Sequence, residues 1–311
     1  YFDGTIDEVR VWRRGLSQQE IRDNMFCELT GEAEESGGYA ERRICYFSGR
    51  QWLVRPTTAT APRPPESNYW SHERENVWVD GDGRLHLRLT RDSATGHWKA
   101  AELESAEAAG YGTYTFTVDS PLGFADPNVV LGLFAFTRND LAHTVPGCKP
   151  GGKPNEIDIE FSYWGSALLG LLQRITGALG QHSVGPGCKD SRMGGAPPFG
   201  VDNATAGRRF FFSNQAPTRH SFVWTPDAIL FSSTVPGAAR STESTCISSR
   251  GNASGCPSGQ EWVRRTADYI PVPQDHRIVL NLWLLGGAPA GTLREPVEVV
   301  IREFEASGMM P

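Results

Sequence analysis

Residues Asn155-Glu156-Ile157-Asp158-Ile159-Glu160-Phe161 constrain this chain more than any other stretch. Read as a β-strand, side chains alternate with period two, so Glu156, Asp158 and Glu160 share one face and Ile157, Ile159 and Phe161 the other. The apolar face demands a core to pack on. The acidic face is costly, because like charges repel and Asp and Glu disfavour strands. A sheet with one face packed and one face available is therefore required. The acidic face admits three readings: a solvated edge, an oxygen-ligand site for Ca²⁺, or a set of catalytic carboxyls. The chemistry that uses such a row is glycosidic cleavage. It needs one carboxyl protonated to donate to the leaving oxygen and another ionised to attack or to activate water. Crowding like charges drives their pKa values apart and makes acid and base from one residue type. Four residues of extended strand separate the Cα atoms of Glu156 and Glu160 by roughly 13 Å. The two side chains meet only if they lean together over Asp158, which then holds a shared proton.

The rest of the chain reads as many short strands with turn signals between them. Val77 and Val79 alternate ahead of an Asp80-Gly-Asp-Gly83 hairpin turn, and Leu85, Leu87 and Leu89 line the next strand. Lys99 to Ser105 is a further short run. Tyr114, Phe116 and Val118 share a face in Tyr111–Val118, and Val129–Phe136 is almost wholly apolar. Thr218–Trp224 and Ala228–Phe231 form a hairpin across Thr225-Pro-Asp227. In Arg277–Leu285, Ile278, Leu280, Leu282 and Leu284 take one face and Val279, Asn281 and Trp283 the other. An amide beside a flat apolar ring suits a sugar. Glu295–Phe304 reads as the last strand. The apolar spacing of Leu168–Leu179 fits one short helix, and Arg138–Lys153 and Gly185–Gly200 are loops.

Several of these segments, in this order, resemble family 16 glycoside hydrolases, the group of lichenases and laminarinases. Glu156-Ile-Asp-Ile-Glu-Phe161 is similar to that family's active-site strand. Tyr111-Gly-Thr-Tyr114 resembles the strand that precedes it, Val129–Phe136 the strand beside it, Thr218–Trp224 with Pro226 the His-x-Phe-x-Trp-x-Pro hairpin, and Asn281-Leu-Trp283 a cleft segment. The resemblance covers roughly residues 70–305. It implies an all-β fold, a concanavalin-A-like β-jelly-roll sandwich of two antiparallel sheets with a concave cleft. It implies a retaining endo-β-glycosidase acting on β-1,3- or mixed β-1,3/1,4-glucan. In that pattern Glu156 is the nucleophile, Asp158 the assistant and Glu160 the acid/base. Phe134 or Phe136 is the aromatic that the neighbouring strand offers to the sugar, Asn281 and Trp283 contribute to the cleft, and His220 on the hairpin is structural or cleft-lining rather than catalytic. Trp164, leaving the acidic strand directly beside the carboxyls, reads as a platform for a pyranose ring. No cofactor is required. Some relatives carry a structural Ca²⁺ on the convex side, for which this sequence has no clear signature. The alternative is a non-catalytic carbohydrate-binding or structural extracellular module on the same fold.

The chain divides into three stretches. Residues 1–26 place a strand at Thr5–Trp12 and a capping box at Ser17-Gln-Gln-Glu20. They resemble the closing segment of a laminin-G-like domain, which implies further domains of a longer parent chain. Residues 27–68, with Arg55-Pro-Thr-Thr-Ala-Thr-Ala-Pro-Arg-Pro-Pro65, read as an irregular Pro/Thr-rich linker or strap. Residues 69–311 are the expected catalytic domain.

Composition narrows the partners. The formal charge of −6 comes without a basic block, which argues against nucleic acid. No apolar run of about 18 residues is present to span a membrane. The chain opens directly at Tyr1-Phe2-Asp3-Gly4, as a mature or excised fragment does. The six cysteines lack Cys-x-x-Cys spacing, which argues against zinc. Cys27 and Cys45, Cys148 and Cys188, and Cys246 and Cys256 fall close in sequence, but their pairing stays open. Disulfides, with sequons at Asn203-Ala-Thr205 and Asn252-Ala-Ser254, point to a secreted, extracellular protein.

Overall fold

The computed structural model describes residues 15, 26–27, 42–58, 61–137, 156–185, 206–236, 242–249, 256–257, 263–267, 270–291 and 293–310. Apart from Gly15 and Phe26, the laminin-G-like leader lies outside them, as do both sequons, the loop 138–153 and Cys148 with Cys188. The strands in chain order are β1 (Ile44–Phe47), β2 (Arg50–Val54), β3 (Tyr69–Trp70), β4 (Val77–Val79), β5 (Leu85–Arg91), β6 (Trp98–Ser105), β7 (Ala108–Ala109), β8 (Gly112–Val118), β9 (Val129–Phe136) and β10 (Glu156–Phe161). Helix α1 (Ala167–Thr176) follows, then β11 (Ala178–Gly185), β12 (Ala206–Phe212), β13 (Thr218–Trp224), β14 (Ala228–Thr234), β15 (Thr242–Ser249), β16 (Val263–Ala267), β17 (Arg277–Leu284), β18 (Val297–Ala306) and β19 (Met309–Met310).

These form the expected two-layer β-sandwich. One layer runs β12-β11-β10-β9-β17-β6-β2-β1, all antiparallel. The other runs β16-β15-β14-β13-β8-β18-β5-β4, antiparallel except for the parallel β15–β16 pair. Pairing of Thr90 with Lys99 and Arg91 with Trp98 carries the ladder from β5 into β6, so a single hydrogen-bonded sheet folds over on itself.

The core lies between the layers. Ile157, Ile159 and Phe161 beneath the acidic strand are fully buried, as are Leu131, Leu133 and Ala135 on β9 and Ile278, Leu280 and Leu282 on β17. Aromatic rings cross the gap: Trp52 meets Phe304 edge-on at 5.2 Å and Phe161 meets His220 at 4.7 Å. A polar network also bridges the layers. Ser233 lies 2.9 Å from both His182 and His220, and Thr218 and Thr245 take the remaining ring nitrogens. Burial pushes the His182 imidazole well below its usual range and His220 down to about 3, so both are neutral.

Three expectations are corrected here. The stretch 27–68 is not irregular throughout. Residues 44–54 form the β1–β2 hairpin, which extends the first layer through pairing of β2 with β6. Alternating bulky residues in Ile44–Phe47 and Trp52–Val54 give that hairpin a buried face, and Cys27–Cys45 is a disulfide. The helix ends at Thr176, not Leu179. Gly177 adopts φ +76°, and a Cβ there would lie 2.1 Å from the Phe212 carbonyl, so only glycine makes the turn into β11. Finally, His220 alternates with Phe222 and Trp224 on the core face of β13 and is fully buried, so it does not line a cleft.

The apolar underside of β10 is what holds the acidic face in place. Ile159→Ala is expected to lower unfolding free energy by about 2–5 kcal/mol. Urea unfolding of wild type and variant measures this, and a change well under that range would mean that the strand is held by its edges rather than its core face.

Candidate active site

Glu156, Asp158 and Glu160 all lie on the face of β10 opposite the core. Register aligns positions from six strands into one row on that face. Arg209 on β12 is opposite Gln181 on β11, and Gln181 is opposite Glu160. Glu160 is opposite Gly132 on β9, Gly132 opposite Asn281 on β17, and Asn281 opposite Glu102 on β6. Neighbouring strands lie about 4.8 Å apart, so Glu160 and Glu102 are separated by roughly 14 Å of sheet.

A cavity of about 620 Å³ opens over this face, lined by Glu156, Glu160, Phe134, Phe136, Asn281, Trp283 and, on its far side, Arg55 and Glu102. Phe134 and Phe136 stand in a T-shaped pair at 6.3 Å, and both are half-buried, so the apolar β9 presents two rings to the cavity. Gly132, opposite Glu160, leaves room for the Asn281 amide. A Cβ there would approach Asn281 Oδ1 to 2.5 Å. Asn281 donates from Nδ2 to Glu102 Oε2 at 3.2 Å, and Arg55 donates to Glu102 Oε1 at 3.0 Å while its guanidinium lies 4.2 Å from the Trp70 ring centre. Glu102 is 5% exposed. Its charge is matched by Arg55.

The acidic row is graded by burial. Asp158 is 7% exposed, whereas Glu156 and Glu160 reach the cavity. Burial, and then the charges of Glu156 and Glu160, push the Asp158 carboxyl well above the usual range, so it keeps a proton and donates it to Glu156. Ser183 donates its hydroxyl to Asp158 Oδ2 at 3.3 Å from the other side. Burial raises Glu160 from 4.5 to about 7, opposed by the positive charge of Arg209. A carboxyl that titrates near neutrality can give a proton in one step and take one back in the next.

Trp164 departs from expectation. It leaves β10 beside the carboxyls but does not line the cavity. The Arg209 guanidinium covers one face of its ring at 4.2 Å. The residues that sequence reading missed are Glu102, Arg55 and Arg209. Glu102 and Glu104 carry the signal that marks β10, carboxylates alternating with Ala101 and Leu103. Arg55 and Arg209 carry none, because strand register alone brings them to the row. Among the described residues, no group of three or more His, Cys, Asp or Glu side chains is set to hold a metal ion, and no helix is long and apolar enough to cross a membrane.

The chain matches no family model and no curated protein sequence. Solved structures share its fold. An immunostimulatory antigen and pseudo β-1,3-glucanase of Mycobacterium tuberculosis superposes with a TM-score of 0.51 at 17% identity, over 83% of this chain and 90% of that one. A family 16 glycoside hydrolase of Bacteroides ovatus, solved with a mixed-linkage glucan product, gives 0.51 at 14% identity over 82% and 94%. A glycoside hydrolase family protein of Mycobacterium thermorestibile gives 0.51 at 15% identity over 82% and 92%. At these identities the likeness is one of fold.

The raised Glu160 has a thermodynamic consequence. Between 4.5 and about 7 the folded chain holds a proton there that the unfolded chain has released. Stability therefore falls as pH rises through that window. Glu160→Gln removes this loss. At about pH 8 the variant is expected to be more stable than wild type by roughly 1–3 kcal/mol, the gap closing at acid pH. Denaturant unfolding at several pH values measures it, and a variant less stable than wild type at the alkaline end would contradict the assignment.

Proposed function

We propose that this chain is a retaining endo-β-glycosidase, with a β-1,3- or mixed β-1,3/1,4-glucan as substrate. The observation that carries the reading is the proton order along β10: Glu156 and Glu160 reach one cavity, and the protonated Asp158 lies buried between them. In this reading Glu160 gives its proton to the glycosidic oxygen as the C–O bond breaks. The Glu156 carboxylate attacks the anomeric carbon to form a glycosyl-enzyme. Glu160, now ionised, takes a proton from water, which displaces Glu156 and completes the cycle. Asp158 donates to Glu156 in the resting site and frees or stabilises that carboxylate as its charge changes.

The lining suits a carbohydrate. Phe134, Phe136 and Trp283 offer flat apolar surfaces to pyranose rings, and Asn281 with Glu102 offers donors and acceptors to hydroxyls. The chemistry needs no metal ion or cofactor. The Cys27–Cys45 and Cys246–Cys256 disulfides suit an oxidising compartment and hence secretion.

A non-catalytic carbohydrate-binding module would use the same cavity, and the M. tuberculosis fold neighbour is described as a pseudo-glucanase. Release of new reducing ends from laminarin, lichenan or agarose separates the two readings. Glu156→Gln is expected to lower turnover by several orders of magnitude while glycan binding, followed by calorimetry, stays near wild type. Turnover that survives this change would rule out the nucleophile. Trp283→Ala is expected to act the other way, weakening glycan binding about tenfold or more while leaving the proton chemistry in place.

A further inference from the structure

The acid/base Glu160 is flanked by a cation whose position is fixed with more care than a surface arginine receives. Arg209 is half-buried on β12, two strands from Glu160 in the same row. Two contacts hold it. Its Nε donates to Gln181 Oε1 at 2.9 Å, and its guanidinium carbon lies over the Trp164 ring, 4.2 Å from the centre. Cation–π contact of this kind favours arginine over lysine.

Trp164 is itself held in an uncommon conformation. It has φ +43°, in the left-handed region that tryptophan rarely enters. Its N–H bonds to Ser162 Oγ at 3.0 Å, and the following Gly165, at φ +79°, donates to the Pro127 carbonyl at 3.0 Å. Strained backbone that is fixed from several sides is often kept for what it positions. What it positions here is the ring under Arg209.

The hydrogen bonds that leave Arg209 have a forced direction. Arginine can only donate. Gln181 therefore turns Oε1 toward Arg209 and its amide Nε2 toward Ser183 Oγ, at 3.1 Å. Ser183, accepting that bond, spends its own hydroxyl hydrogen on Asp158 Oδ2. Asp158 is left to place its proton toward Glu156. One cation thus lies in the acid's row, two strands away with its charge acting on Glu160, and also sets the sense of the chain that ends at the shared proton.

We propose that Arg209, clamped by Trp164 and Gln181, is the positioning residue that sets the proton affinity of Glu160. This rests on the glycosidase reading for its consequence in turnover, but not for its physical content. The groups facing Glu160 are few among the described residues. Asp158 and Glu156 lie along β10, the uncharged Gln181 and Ser183 on β11, Gly132 and Phe134 on β9, Asn281 on β17, and Arg209 on β12. Glu102 sits three strands away and is matched by Arg55. Arg209 is the one cation among them. It lowers the carboxyl that burial raises, and it stabilises the carboxylate formed when the proton leaves.

The test reads Glu160 itself. Carboxyl carbon NMR of ¹³C-labelled wild type, with Glu160→Gln to assign the signal, gives its titration without any substrate. Arg209→Met keeps the apolar stem and removes the charge. It is expected to raise the Glu160 pKa by about 1 unit or more. Trp164→Leu, which keeps Arg209 but removes its platform, should move it part of the way in the same direction. Arg209→Lys should restore part of the shift. In turnover on laminarin or lichenan, the alkaline limb of kcat/KM should rise by the same amount, and kcat should fall at acid pH, where Glu160 must ionise to serve as base. An unmoved Glu160 titration in a folded Arg209→Met protein overturns the proposal. A shifted titration in a protein with no hydrolytic activity supports it and overturns the glycosidase reading instead. If Arg209→Met fails to fold, the Trp164→Leu and Arg209→Lys titrations decide alone, and two unmoved curves overturn it.

Discussion

Three carboxyls on one strand face cannot all be ionised when that face is partly buried. At the separations a strand allows, each charge raises the others, and burial removes the water that would screen them. The molecule resolves this conflict in three ways at once. Asp158, the most enclosed of the three, stays protonated and becomes a hydrogen-bond donor. Glu160 is left titrating near neutrality, with Arg209 in the same row as its counter-charge. Glu156 faces the cavity and receives the Asp158 proton. The electrostatic conflict and its resolution share the same atoms.

The sandwich makes that arrangement permanent. Ile157, Ile159 and Phe161 bury the opposite face completely, so a register slip of one residue would put three acids into the core. Such a slip is prohibitive, and β10 is fixed between β9 and β11 for this reason as much as by its hydrogen bonds. The neutral His182–Ser233–His220 network lies across the same interlayer space. It is polar yet satisfied, and it ties the strand next to the acids to the second layer. Asp158 and the two histidines are thus opposite answers to burial. Each adopts its neutral form, and only the carboxyl turns that neutrality into a donor aimed at the cavity.

Period-two patterns carried most of what could be foreseen. The acidic row, the apolar faces of β9 and β17, and the Asn281–Trp283 face follow from alternation alone, because each strand's two faces are written into consecutive residues. His220 shows the same rule neglected: its alternation with Phe222 and Trp224 already put it inside. Glu102 was legible in principle, as an acid alternating with Ala101 and Leu103, but nothing local said that β6 would lie in the same layer as β10. Arg55 and Arg209 were not legible at all. Their place depends on register between strands many residues apart, which hydrogen bonding and packing settle only when the whole sheet closes. The hairpin within 44–54 was masked in the sequence by the Pro/Thr-rich run that follows it.

The row from Arg209 to Glu102 is also ordered by charge across the sheet. At one end a cation lies two strands from a carboxyl that exchanges its proton near neutrality. At the other, Arg55 and Glu102 form an ion pair. Between them Gly132 and Asn281 are uncharged, and Phe134, Phe136 and Trp283 make the surface apolar. A neutral, hydroxyl-rich chain fits such a floor better than a charged one. In the glycosidase reading its ring faces meet the aromatics and its hydroxyls meet Asn281 and Glu102, away from the charges that act on Glu160. Glu160 is thereby set apart, across three strands, from the Arg55–Glu102 ion pair.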